Sequence, residues 1–175
     1  MAVKHFHHVA YRCTDAKQTV AFYQDILGLK YRIGVAENEV PSTKEFSPHV
    51  HVFLDVGDGS FLAFFELPES PPMGHDGNTP RWVQHIALQV EGEEDLERYR
   101  RRLVDAGISV VGPTDHNLFK SIYFFDPSGH RLELTYTKAS PELLAHMENT
   151  ADELLQEWAQ TKRAPQIGSY RELGR

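Results

Sequence analysis

The chain has 175 residues, about the length of one domain, and its 41% apolar and 25% charged residues are typical of a soluble globular protein. Its 18 basic and 25 acidic side chains give a net charge of −7, which argues against nucleic acid or an anionic membrane as a partner. The single cysteine, Cys13, excludes an intrachain disulfide framework and a thiolate metal site. Because there is no apolar run of about 20 residues and no leader-like start, a cytoplasmic protein is expected.

Two stretches of the sequence resemble each other: HHVAYRCTDAKQTVAFYQDILGLKYRIG from His7 and QHIALQVEGEEDLERYRRRLVDAGISVVG from Gln84. Each begins with a histidine and a strand-like run, passes through an acidic turn into a helix pattern, and ends with glycine and an apolar strand. Two copies on this scale indicate a duplicated module.

The first copy predicts one helix and four strands. Thr14 or Asp15 caps the helix, and Gly28 ends it. The three strands after the helix are expected at about 29–35, 49–56 and 60–67, with a hairpin turn at Gly57-Asp58-Gly59. A proline-rich linker, Pro68–Gly74, follows, so the first module has the order βαβββ.

The second copy repeats this order. Apolar residues alternate from Ile86 to Val90, which predicts a strand with one apolar face, and a helix runs from near Glu93 to just before Gly107. The remaining strands are expected at about 108–112, 120–125 and 130–137, the last two joined by a turn at Asp126–Gly129.

A third helix begins at Ser140-Pro141, an N-cap followed by a first-turn proline. Its apolar stripe comprises Leu143, Met147, Ala151, Leu154, Leu155 and Trp158. The stripe has no place in a two-module core, so a homodimer is predicted. The predicted organisation is therefore a two-module domain at 1–138 (modules about 5–68 and 82–138), with the helix and an exposed tail at 139–175.

The double βαβββ pattern, with FYQDILGL in the first copy and YFFDPSGHRLEL in the second, resembles the vicinal oxygen chelate superfamily. That superfamily includes glyoxalase I, methylmalonyl-CoA epimerase, fosfomycin-modifying thiol transferases, bleomycin-binding proteins and extradiol dioxygenases. The resemblance covers about residues 5–137 and implies an α+β fold whose modules form a cup-shaped mixed sheet with a metal at its bottom. Since one such fold serves many reactions, the likeness predicts the fold more firmly than the reaction.

By this resemblance, His8 of HHVA and His85 of QHIA are ligands from first strands, and Glu133 of HRLEL is a ligand from a last strand. The alternation of the strands supports this independently. Each of the three residues lies on the opposite strand face from its apolar neighbours. If those neighbours pack under the helices, the three ligands point into the cup.

Two histidines and one carboxylate form the facial triad that leaves positions on Fe(II) open for substrate and O2. Fe(II) is therefore favoured as the divalent metal, and Mn, Ni and Zn are also compatible with these ligands. Glyoxalase I and the epimerases use a fourth ligand, a carboxylate from the first module. Here Ala63 aligns with Glu133, and Glu66 lies three residues later on the other strand face, so three ligands are predicted unless a β-bulge turns Glu66 round.

Tyr123 lies ten residues before Glu133, and His116 lies seven before Tyr123. The pattern is similar to the residues around the metal in extradiol dioxygenases, although their His-to-Tyr gap is often slightly longer. A tyrosine hydroxyl can hold a catechol oxygen, and a histidine can pass a proton to bound dioxygen. The sequence therefore predicts a ring-cleaving dioxygenase that uses O2 on a small catechol-like aromatic, with Tyr123 and His116 as catalytic residues. A strand aromatic and a solvated loop histidine are the structural alternatives for these two residues.

Fosfomycin-modifying thiol transferases match the second copy at Ser121, Tyr123, His130 and Arg131. That group places a threonine where this chain has Ala10, and no potassium loop is evident, so thiol transfer is the second interpretation. A glyoxalase- or epimerase-like lyase or isomerase and a drug-binding resistance protein are further alternatives. His49 and His51, which share one strand face, are interpreted as structural or substrate-lining.

Overall fold

The protein is described by a computed structural model over residues 3–165. The chain divides into two compact units: the first comprises residues up to Ile86 together with Phe125–Leu132, and the second comprises Ala87–Phe124 and residues from Glu133 onward. The elements in chain order are β1 (His8–Cys13), α1 (Ala16–Asp25), β2 (Lys30–Glu39), β3 (Phe46–Asp55), β4 (Phe61–Glu66), β5 (Ile86–Gln89), α2 (Glu93–Asp105), β6 (Val111–Asp115), β7 (Phe119–Phe125), β8 (Arg131–Thr137) and α3 (Pro141–Thr161). The predicted α+β class and the double βαβββ order are confirmed.

The first sheet has the strand order β1-β4-β3-β2, with β1 parallel to β4 and the other pairs antiparallel. Helix α1 packs against β2, β3 and β4. The core of this unit contains Val52, Leu54, Leu62 and Phe64, each no more than 3% exposed. These four residues share one face of β3 and β4 because side chains alternate along a strand. The residues between them, on the other face, are therefore available for another role.

Helix α1 is bounded by the residues that the sequence predicts. Of the two candidate caps, Asp15 is the one used, since its Oδ1 accepts the Gln18 N–H over 2.8 Å. Gly28 adopts φ +78° just beyond the helix, a conformation that costs glycine little and other residues more. The Leu29 N–H then bonds back to the Tyr23 carbonyl at 3.0 Å, which closes the helix end.

The β2–β3 hairpin is longer than predicted at its turn end. The sequence places its strands at 29–35 and 49–56, whereas pairing continues to Glu39 opposite Phe46. The extra residues of β2, 36–39, are mostly polar and lack the alternation of a half-buried strand, so their pattern gives little strand signal. Their extended conformation is stabilised by the antiparallel ladder and a turn in which the Val40 N–H bonds to Glu45 O at 2.9 Å.

The second sheet has the order β5-β8-β7-β6, so each sheet places its first and last strands side by side. Strand β6 begins at Val111, three residues later than the sequence predicts. The physical reason lies in the end of α2. The N–H groups of Ala106, Gly107 and Ile108 bond back to carbonyls of the helix, so this segment serves as a cap before a ladder can start.

The turn between β7 and β8 is assigned to the first unit and is fixed there by Asp126. Its carboxylate accepts hydrogen bonds from the N–H groups of Ser128 and His130. It also accepts a hydrogen bond from the buried Tyr23 hydroxyl over 3.1 Å. Burial, together with the Asp126 charge and hydrogen bond, raises the pKa of Tyr23 well above its usual value, so the phenol keeps its proton and donates. The conspicuous DPSG sequence therefore has a structural role in this unit.

Helix α3 begins where predicted. The Ser140 hydroxyl accepts the Leu143 N–H over 3.2 Å, and Pro141 occupies the first turn. None of its residues is buried, and Leu155 and Trp158 are 61% and 45% exposed. The tail expected from Ala164 falls largely outside the described residues. Within residues 3–165 no helix is both long and apolar enough to span a membrane.

Candidate metal centre and its surroundings

Glu133 lies on β8 and is 3% exposed. The Ser121 hydroxyl on β7 donates to its Oε1 over 2.5 Å, and Thr135 Oγ1 lies 2.9 Å from the same hydroxyl. A buried carboxylate is stable only when hydrogen bonds or a cation replace the lost water. The Ser121 hydroxyl, itself in contact with Thr135, holds one oxygen of the Glu133 carboxylate in place. Hydrogen bonds of this kind orient carboxylates that bind metals.

His85 lies directly before β5 and is exposed. Its Nδ1 is 2.9 Å from the carbonyl of Val83, a contact in which Nδ1–H donates to the oxygen. In that tautomer the lone pair is on Nε2, the form in which a neutral imidazole binds a metal. The local backbone therefore prepares His85 for ligation.

His8 is the first residue of β1 and is exposed. Its Nδ1 lies 2.7 Å from Nδ1 of His7, so a hydrogen bond joins the two rings and leaves the lone pair of His8 on Nε2 when His8 is the donor. The His8 ring centroid is 5.5 Å from that of Phe53 and 6.2 Å from that of His51. These contacts place His8 on the sheet face opposite the core residues Val52 and Leu54.

The donor chemistry of these residues suits a divalent metal, because two imidazoles and a carboxylate, each with a hydrogen-bonded neighbour, are a common ligand set. Among the described residues, no group of three His, Cys, Asp or Glu side chains is arranged so that it could hold an ion. The assignment of His8, His85 and Glu133 to one metal therefore stays a prediction.

His116 and Tyr123, the two predicted catalytic residues, lie in hydrogen-bonding contact. His116 Nε2 lies 2.8 Å from the Tyr123 hydroxyl, and both side chains are part-buried in the second unit. His116 is held in its loop by a backbone bond to Phe119 O at 2.9 Å. Tyr123 lies two residues after Ser121 on β7, so it shares a strand face with the serine that contacts Glu133.

Glu66, the alternative fourth ligand, is engaged elsewhere. Its Oε2 accepts the N–H of Ala16 over 2.7 Å, at the first turn of α1, where a carboxylate also interacts favourably with the helix dipole. Glu66 thus lies on the helix-covered face of β4, away from the face that carries His8. It also lines, with His49 and Glu37, a pocket of about 470 Å³ at this end of the first sheet.

Two of the four residues shared with thiol transferases, His130 and Arg131, make contacts within the first unit. His130 Nε2 lies 2.6 Å from the carbonyl of Arg12, and Arg131 Nη1 donates to the carbonyl of Trp82 over 2.6 Å. Both are bonds to backbone, and they tie the β7–β8 turn to β1 and to the segment before β5. Cys13 is 1% exposed, and burial raises the pKa of its thiol.

Two buried polar atoms on the sheet face that carries His8 could not be identified from the sequence. Arg12 Nε and His51 Nε2 are both buried without a hydrogen-bond partner among the described residues. The pKa of His51 is lowered mainly by burial and to a smaller extent by the neighbouring His8 and His49. The lowered pKa favours the neutral form of His51. An alternating pattern shows that two residues share a face, but it carries no information about which polar atoms lose contact with water.

Each of the two βαβββ sheets places its first and last strands side by side, an arrangement that defines a class of paired-module proteins. The family model of the Glyoxalase/Bleomycin resistance protein/Dioxygenase superfamily matches residues 5–134, and the chain belongs to this superfamily. The resemblance stated from the sequence is thereby confirmed.

Relatives within the superfamily have different activities. The chain is 29% identical over 136 residues to MhqA of Bacillus subtilis (strain 168), whose name assigns it provisionally as a ring-cleaving dioxygenase. It is 40% identical over 74 residues to the metallothiol transferase FosB of Shouchella clausii (strain KSM-K16). These matches cover 77% and 41% of this chain, and 41% and 49% of the relatives, so the chain spans less than half of each.

Among solved structures, the fosfomycin resistance protein FosX of Listeria monocytogenes, complexed with Mn(II) and sulfate, aligns with a TM-score of 0.54 at 20% identity. The alignment covers 83% of this chain and 99% of FosX. This likeness supports the fold. The two relatives found by sequence carry the names of enzymes, a dioxygenase and a transferase, and the FosX structure contains Mn(II).

Proposed function

We propose that the protein is a metal-dependent extradiol-type dioxygenase that opens the ring of a small catechol-like aromatic. The observation that carries the proposal is the 2.8 Å contact between His116 Nε2 and the Tyr123 hydroxyl, on the strand whose Ser121 supports Glu133. The proposed ligands of the metal are His8, His85 and Glu133. The likeness to MhqA supports ring cleavage.

The proposed roles of the two catalytic residues follow from their geometry. A catechol must lose a proton before its oxygens can chelate a metal, and a hydroxyl held by a histidine can take part in that transfer. The Tyr123 hydroxyl would bond to a substrate oxygen, and His116 would accept a proton through it and return the proton to the product. Fe(II), when bound by the triad, would supply open positions for substrate and O2. Both atoms of O2 enter the product, so no external reductant is needed.

The test is oxygen uptake by anaerobically purified protein loaded with Fe(II), measured with a panel of catechols. Consumption of one O2 per catechol, with a ring-opened product identified by mass spectrometry, is the expected result. Parallel samples loaded with Mn(II), Ni(II) and Zn(II) identify the active metal, since the ligand set admits all of them. Absence of uptake with every catechol and Fe(II) would contradict the proposal.

Thiol transfer is the second candidate because of the 40% identity to FosB over 74 residues. Against it, Ala10 has no hydroxyl, and His130 and Arg131 bond to backbone carbonyls. The same protein loaded with Mn(II) and incubated with fosfomycin and a low-molecular-weight thiol separates the two candidates. Formation of the thiol adduct without oxygen uptake would favour transfer.

We also propose that the protein is a homodimer in which the exposed apolar stripe of α3 is covered by a second copy. Apolar patches of this kind are usually covered, and Leu155 and Trp158 are 61% and 45% exposed. Light scattering should give twice the chain mass of 20.0 kDa. Leu155→Glu should shift the protein toward monomer, whereas Gln160→Glu, on the polar side of α3, should not. A monomeric wild type would contradict the proposal.

A further inference from the structure

The rings on one face of the first sheet include His8, His51, Phe53, Phe61 and Phe65, and these five are here called the aromatic face. His51 stacks on Phe65 with centroids 3.6 Å apart, and its centroid is 4.1 Å from that of Phe53. His8 is exposed, and the other four rings are half-buried. Since the core of the unit lies on the opposite face, among Val52, Leu54, Leu62 and Phe64, the aromatic face presents a ring-rich surface beside a proposed metal ligand.

Arg12 lies at the other end of this face. It follows His8 by four residues on β1, so the two side chains project from the same side of the strand. In the register of the sheet Arg12 pairs with Phe65, and Phe65 pairs with His51. Arg12, Phe65 and His51 therefore form one row across three strands.

The guanidinium of Arg12 is incompletely paired. Its Nη2 donates to the carbonyl of Pro71 over 2.7 Å and to that of Ser70 over 3.5 Å, while Nε is buried without a partner. Within residues 3–165 it forms no ion pair with a carboxylate. A part-buried cation without an anion carries an uncompensated loss of hydration. His51 Nε2, the second buried atom without a partner, belongs to the same row.

We propose that Arg12 binds an anionic substituent, a carboxylate, of an aromatic substrate whose ring packs on the aromatic face with its reacting end toward His8. Guanidinium groups pair with carboxylates through two parallel hydrogen bonds, which suits the unpaired Nε. Four residues of strand separate His8 from Arg12 by about 13 Å between Cα atoms, a span that the arginine side chain and an aryl ring with a short acid chain together bridge. The inference deepens the proposed function by naming an aryl carboxylic acid as the substrate class.

The test measures binding to metal-free protein, so that it does not depend on ring cleavage. The probes are 3-phenylpropanoate and its neutral counterpart 3-phenylpropan-1-ol, titrated by calorimetry. The wild type should bind the acid about tenfold or more tightly than the alcohol, because hydrogen bonds to charged groups contribute enough for a factor of about 10 to 100. Arg12→Gln should remove this preference and leave the affinity for the alcohol unchanged.

The matched control is Arg32→Gln, since Arg32 belongs to the same sheet but already pairs with Asp55 at 3.2 Å. It should retain the preference for the acid. Arg12→Lys keeps the positive charge but cannot form two parallel hydrogen bonds with a carboxylate, so it should retain part of the preference for the acid. This second variant keeps the proposal testable if Arg12→Gln fails to fold. Equal binding of acid and alcohol by the wild type, no binding of either, or equal loss of both in Arg12→Gln would each overturn the proposal. Failure of ring cleavage would appear only in the oxygen-uptake assay.

Discussion

Replacing Glu133 with alanine is expected to release the metal and abolish activity. The substitution removes the only carboxylate of the proposed ligand set and leaves two imidazoles, while the Ser121 hydroxyl loses the acceptor that it contacts at 2.5 Å. Metal content measured by elemental analysis after dialysis should fall from about one ion per site to background, and oxygen uptake with the best catechol should fall with it. Loss of a ligand removes the ion on which the chemistry depends.

The control for this variant is Glu66→Gln. Glu66 bonds to the Ala16 N–H at the start of α1, so its replacement should reduce stability modestly and leave metal content unchanged. Retention of metal by Glu133→Ala, or loss of metal from Glu66→Gln in a folded protein, would contradict the proposed ligand set. A mixture of His8→Ala and Glu133→Ala proteins tests whether the two ligands come from one chain. Recovery of activity on mixing would assign the two ligands of each site to different chains of a dimer, and no recovery would assign them to the same chain.

The parts of the fold that could be predicted from the sequence are those set by local chemistry. Alternation in the β-rich runs and the helix-ending residues predict the strands and α1, and Asp15 and Gly28 fulfil those roles in the structure. The duplicated pattern predicts two similar sheets, which are found. Each of these signals depends on neighbours in the chain, so a single sequence contains them.

The differences arise where tertiary pairing or a cap determines the result. Strand β2 continues to Glu39 because it pairs with β3, although no alternation of apolar residues indicates a strand there. Strand β6 begins only at Val111 because the residues before it cap α2. His130 and Arg131, which match the thiol transferases in sequence, bond to backbone carbonyls, a role that the match does not indicate. Hydrogen bonds between residues that are distant in the chain, such as that from Tyr23 to Asp126, cannot be predicted from the periodicity of a single sequence.

The candidate site shows the same division. The sequence singles out His116 and Tyr123 only by their spacing from Glu133, and the 2.8 Å contact between their side chains is seen only in the structure. The sequence does not distinguish Arg12, because an arginine at the end of a strand is ordinarily a solvated residue. Only the packed structure shows that its Nε is buried without a partner, beside Phe65 and in a row with His51. Which polar atoms lose contact with water depends on the packed fold, so the burial of Arg12 Nε cannot be predicted from the sequence alone.

Tyr123→Phe is expected to lower kcat for ring cleavage by about 10²–10⁴-fold, the usual contribution of a general acid–base group. Metal content should stay unchanged, because the hydroxyl is proposed to act on substrate and is not a ligand. The phenylalanine keeps the ring and its packing and removes only the atom that contacts His116 Nε2. The matched control is Tyr31→Phe, an exposed tyrosine on β2, which should have no effect on kcat.

A double substitution tests whether the two residues act as one unit. If the proton passes through the Tyr123 hydroxyl to His116, the single variants Tyr123→Phe and His116→Gln should each lose most of the rate, and the double variant should lose little more. Independent residues would instead give losses that multiply. Full activity in Tyr123→Phe would defeat the proposed roles, and multiplying losses would assign His116 a separate task. The pair is therefore a single proton path only if the second substitution costs almost nothing once the first has been made.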